Sequence, residues 1–124
     1  MGIDNRLTLG IMKAYRLSHL SEAFMIKHIV LWKLKDDETG WSKQENAFEL
    51  KRRLESLKSK IPEILELEVG FPIEKGETVS DVALYSLFKD KEGLESYQKH
   101  PEHQKIVEFV KKIAVERRVV DYEV

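Results

Sequence analysis

A single α+β domain is predicted for this 124-residue chain, in the order strand, helix, strand, strand, helix, strand. Three observations predict it: apolar runs of period two at four places, a capped helical stripe after the first run, and a His-Pro junction that opens a second helical stripe before the last. With 42% hydrophobic and 9% aromatic residues the chain can build one core, and its length leaves no room for two. The absence of cysteine excludes disulfides, thiolate catalysis and Cys-ligated metal clusters. With 21 Lys and Arg against 22 Asp and Glu there is no overall drive toward nucleic acid or anionic lipid, so neither is expected as a partner. No run reaches the roughly 18 apolar residues of a membrane span. Polar residues also interrupt every apolar stretch of the opening segment, which lacks a signal-peptide core, and a cytoplasmic protein is expected.

Residues 1–24 lack sustained periodicity and are read as a flexible N-terminal leader, with the domain running over residues 25–124. From Ile26, one face of the first strand carries His28, Val30, Trp32 and Leu34 and the other Lys27, Ile29, Leu31 and Lys33. Bulky apolar groups on both faces mark a strand covered on two sides. Ser42-Lys43-Gln44-Glu45 fits a capping box, and Ala47, Leu50, Leu54, Leu57 and Ile61 then recur at helical spacing until Pro62 stops the helix. Leu65, Leu67, Val69 and Phe71 alternate with Glu66, Glu68 and Gly70 as a second strand, and residues 72–80 form a loop. Val82 to Phe88 is a third strand, apolar on both faces and antiparallel to the second. Asp90 caps a short helix through Leu94 and Tyr97. At His100-Pro101 the backbone resets, and a further helix runs to about Val115 with Ile106, Val107, Val110, Ile113 and Ala114 inward. Arg117 to Val124 closes the chain as a fourth strand with Val120, Tyr122 and Val124 on one face.

This order is the ferredoxin-like βαββαβ arrangement, a four-stranded antiparallel sheet with helices on one face. The other face would then expose Ile29, Leu31, Ala83 and Leu87, and a homodimer packed sheet on sheet is the economical cover.

Three stretches taken together, MIKHIVLWKLKDD (25–37), YQKHPEHQKIVEFV (97–110) and the closing RRVVDYEV, resemble the stress-responsive A/B barrel, or Dabb, family over essentially the whole of residues 25–124. The resemblance implies a dimeric α+β barrel in which two sheets face each other with the helices outside. Most members of that family have no assigned reaction. One plant member is a polyketide cyclase that needs no cofactor and uses a histidine and a tyrosine for an aldol condensation. Its catalytic pair falls on His103 and Tyr97 and its first-strand histidine on His28; a further pocket histidine of that enzyme has no counterpart around the third strand.

His103 lies three residues before Ile106 and four before Val107, which puts its ring on the inward stripe of the last helix. A neutral imidazole there is a base near pH 7, and Tyr97 can donate a proton or hold a carbonyl oxygen. His28 meets them only if its face of the strand lies beneath the helices. The competing reading makes each inward histidine a hydrogen-bonded tie between elements. His100 is read as a polar cap and His19 as a solvated leader residue; Trp32 and Trp41 could line a ligand pocket, but are read as core and as a loop anchor. His100 and His103 have no third ligand at matching spacing, so no metal is expected, nor any cofactor. There is also no Gly-rich phosphate loop, G-x-S-x-G or H-E-x-x-H motif. Three functions stay open: acid/base chemistry on a small apolar carbonyl compound such as a polyketide-type aldol cyclisation, a non-catalytic stress-related ligand-binding dimer, and an oxygenase or haem-handling barrel protein.

Overall fold

The computed structural model describes residues 24–38 and 40–124, so all of the expected leader except Phe24 lies outside the described residues. β1 (Ile26–Leu34) is followed by a small hairpin of β2 (Asp37–Glu38) and β3 (Trp41–Ser42), which the residue pattern did not announce. Gly40 turns this hairpin at φ +81°, a conformation that side-chain-bearing residues seldom adopt. α1 (Lys43–Ser56) begins at the expected capping box. Ser42 Oγ accepts from the Glu45 N–H at 3.1 Å, and Glu45 Oε1 accepts from the Ser42 N–H at 3.1 Å. A 3₁₀ turn at Leu57–Ser59 ends the helix ahead of Pro62.

β4 (Ile64–Gly70) and β5 (Val82–Phe88) pair antiparallel, then α2 (Lys91–Lys99) and α3 (Pro101–Ile113) lead into β6 (Ala114–Glu123). The sheet order is β4-β5-β1-β6 with every neighbouring pair antiparallel, so β1 and β4 run the same way with α1 as their crossover. This is the ferredoxin-like fold.

One core joins the helix layer to the sheet through Val30, Trp32, Leu84 and Phe88 below and Leu50, Leu54, Ile106 and Ile113 above. On the opposite face of the sheet, Leu31 is 37%, Val120 53% and Tyr122 45% exposed, while Ile29, Ala83 and Leu87 are half-buried. That face is the expected apolar one, and among the described residues no helix covers it.

Three details differ from the pattern reading. The inward side of α3 also includes Phe109, buried with Ile106 and Ile113, while Val107 and Val110 face the cavity half-buried. Ala114 belongs to β6 and pairs with Leu34, because its φ of −94° and ψ of 139° are already extended and its N–H closes the helix on the Val110 carbonyl. In β4 the register shifts between Ile64 and Glu66, which reverses the alternation and leaves Leu65 on the surface while Ile64 is buried.

Candidate active site

Three elements bring the site together. β1 alternates, so the face that contributes Val30 and Trp32 to the core also turns His28 under the helices, where it is 2% exposed. α2 begins at Asp90, whose Oδ1 accepts from the Gly93 N–H at 2.8 Å, and its last turns carry Tyr97 inward to full burial. His100 ends α2 and caps α3 as expected, its Nδ1 accepting from the Glu102 N–H at 3.1 Å, with Pro101 at the first helical position. That sharp join turns His103 back over Tyr97: the ring centroids lie 4.4 Å apart. Tyr97 also packs against His28 at 6.0 Å in an edge arrangement and against Phe88 at 4.9 Å.

His28, Tyr97 and His103 line one cavity of about 320 Å³, together with Trp32, Arg117 and an apolar wall that includes Leu54 and Ile106. Its volume lies in the range of small-molecule sites. The Tyr97 hydroxyl is buried and makes no hydrogen bond among the described residues. Burial pushes its pKa well above the ordinary tyrosine value, although the positive charge of Arg117 pulls the other way, so at neutral pH the hydroxyl is a donor that keeps its proton.

The His103 Nδ1–H donates to the Gln98 carbonyl at 3.1 Å, because a carbonyl can only accept. Nε2 is therefore the nitrogen left with a lone pair. Burial lowers the pKa of His103 below 6.5, against the opposing pull of the Gln98 carbonyl, and the ring is neutral at pH 7.

His28 Nδ1 meets Asp121 Oδ1 at 2.5 Å, and the carboxylate fixes which way the ring faces. Ser86, fully buried, donates from Oγ to the His28 carbonyl at 3.3 Å and ties β5 to the same place.

All three residues expected from the sequence are thus gathered in one place. Asp121 and Arg117 were not read as part of it, and Trp32, read as core in preference to a pocket wall, is both. The available signal was the period-two alternation of β6: Val120 and Tyr122 on one face put Arg117, Val119 and Asp121 on the other, where Arg117 pairs with Trp32 and Asp121 with His28. Trp41 is on the far side of the helix layer, in a groove with Arg53 and Phe109, and takes no part. Among the described residues no three His, Asp or Glu side chains gather as a metal site, and no helix is long and apolar enough to cross a membrane.

No curated protein matches the chain. Among solved structures it is similar to a dimeric protein of unknown function and ferredoxin-like fold from Bacteroides fragilis, with 37% identity, TM-score 0.72, and 81% of this chain and 96% of that one covered. A dimeric ferredoxin-like protein of unknown function from Thermobifida fusca matches at 21% identity and TM-score 0.71, covering 83% of this chain and 93% of that one. A hydroxynitrile lyase from Passiflora edulis shares the fold at 18% identity and TM-score 0.67, over 81% and 93% of the two chains. The profile of the Stress Responsive A/B Barrel Domain matches residues 26–124, and with the fold and the neighbours above it establishes that the chain belongs to the Dabb family.

Proposed function

We propose that the protein is a homodimeric catalyst of proton transfer on a small apolar carbonyl compound, of the kind that drives an aldol-type ring closure. The observation that carries the reading is the unpartnered Tyr97 hydroxyl in a cavity it shares with the lone-pair nitrogen of His103. In this reading His103 Nε2 removes a proton from the carbon next to a carbonyl, and Tyr97 donates a hydrogen bond to the carbonyl oxygen as it becomes an enolate oxygen. The enolate carbon then bonds to a second carbonyl carbon of the same molecule, whose oxygen takes the proton back from His103. His28, held by Asp121, packs against Tyr97 and orients its ring.

The test is hydrogen–deuterium exchange at the methylene of benzoylacetone in D₂O, followed by NMR. Wild-type protein should accelerate it, and His103→Gln should lower the acceleration roughly 100- to 10,000-fold while leaving the protein folded. Equal exchange with the variant would leave the histidine a structural tie, and the chain a ligand-binding dimer.

The partner in the dimer is a second copy, seated on the apolar sheet face around Leu31, and the description of the Bacteroides fragilis relative as dimeric supports it. Leu31→Asp should convert dimer to monomer by light scattering at micromolar concentration; a monomeric wild-type protein under the same conditions would remove the assembly.

A further inference from the structure

Two groups on the cavity wall have no role in the proton transfer just described. Trp32 is 5% exposed and its indole N–H is buried without an acceptor among the described residues. Buried donors without partners are rare, and this cavity has two, since the Tyr97 hydroxyl is the other. An indole N–H only donates, so what satisfies it must be an acceptor. Arg117 is the second group. It pairs with Trp32 across the strands, is exposed at the mouth of the cavity, and makes no ion pair among the described residues. Its neighbours are engaged: Arg118 reaches Glu116 at 3.0 Å, and Lys111, the other cation on this wall, reaches Glu108 at 3.2 Å. The charge of Arg117 acts on the buried groups, since it favours loss of the proton from both Tyr97 and His103.

We propose that the cavity takes a carbonyl compound that also bears a carboxylate, with Arg117 holding the carboxylate at the mouth and the Trp32 indole N–H joining the Tyr97 hydroxyl on an oxygen inside. This rests on reading the cavity as a small-molecule site and adds a substrate class and two binding residues to it. One unpaired cation matches one negative charge, and the planar guanidinium fork matches a planar carboxylate, whereas a phosphate monoester would call for more donors than the mouth offers. The apolar wall between Leu54 and Ile106 accommodates the hydrocarbon body.

The experiment titrates 4-oxo-4-phenylbutanoate and its methyl ester into the Trp41→Phe protein at low salt, reading the fluorescence of Trp32 as the one remaining tryptophan. The acid should bind up to about fivefold tighter than the ester, as one exposed charge pair at low salt allows. Arg117→Gln should abolish that preference while leaving ester affinity in place. Trp32→Phe, followed by NMR, should weaken acid and ester alike. Equal binding of acid and ester by the unsubstituted site, or a preference that survives Arg117→Gln, overturns the proposal alone. Failure of both compounds to bind overturns it together with the reading of the cavity as a site. Acid-selective binding without α-proton exchange removes the catalysis and leaves the carboxylate class standing.

Discussion

Among the described residues a groove and a cavity of similar size flank the helix layer, and they differ in what their walls still lack. The groove formed by Trp41, Arg53, Lys105, Glu108, Phe109 and Lys112 is the larger, at about 390 Å³. Its polar groups are largely engaged. The Arg53 guanidinium lies 3.9 Å over the Phe109 ring while its Nε donates to Glu49 at 2.8 Å, and Lys105 meets Glu102 at 3.3 Å. The cavity of about 320 Å³ under α2 and α3 instead contains two buried donors and a histidine nitrogen that find no partner among the described residues. Space alone does not distinguish the two; unmet hydrogen-bonding capacity does, because the protein has paid its desolvation without collecting a partner.

The comparison breaks most sharply at Tyr97. Tyr97→Ala deletes a fully buried ring that packs on Phe88, His28 and His103, and should cost about 3–5 kcal/mol, as for other buried aromatics. Tyr97→Phe removes only the unpartnered hydroxyl, so it should leave stability unchanged or raise it by about 1 kcal/mol while slowing α-proton exchange. Urea denaturation of the two variants measures both. A loss of more than about 1 kcal/mol for Tyr97→Phe would mean that the hydroxyl is satisfied in solution, and the contrast between cavity and groove would vanish.

A smaller effect separates the regions by pH. Burial lowers the pKa of His103 below 6.5 in the folded protein, so the unfolded chain takes up the proton first. This destabilisation is absent above 6.5 and grows as pH falls below it, until the lowered folded value is reached. On the groove side, hydrogen bonds from Arg52 and Arg53 bring Glu49 down from 4.5 to about 2. Its stabilisation is complete above 4.5 and fades as pH falls toward about 2. Denaturation midpoints followed from neutral pH downward should therefore drop in two windows, the first abolished by His103→Gln and the second by Glu49→Gln. A first window that persists in His103→Gln would assign that titration to another group.

Local signals carried most of the fold. The two-sided pattern of β1, the capping box at Ser42 and Glu45 and the His-Pro join were each readable because each is a local rule about alternation, caps or φ restriction. The failures sit where partners distant in sequence decide. The bulge that exposes Leu65 is set by the register on β5, and the early start of β6 is set by Leu34, which claims Ala114 for the sheet. Phe109 went unread because the wall it meets includes Arg53 of α1.

For the site, the sequence by itself determined that His28 shares a face with Val30 and Trp32, that His103 sits on the inward side of its helix, and that Tyr97 ends the helix before it. Periodicity is a property of one element and so is legible within it. Only the tertiary structure decided that these faces meet, that Asp121 comes to His28 and Arg117 to Trp32 across 93 and 85 residues of chain, and that the Tyr97 hydroxyl and the Trp32 indole are buried without partners among the described residues. Satisfaction of a hydrogen bond depends on every group within reach, and strand pairing at long separation brings in groups that no local pattern names.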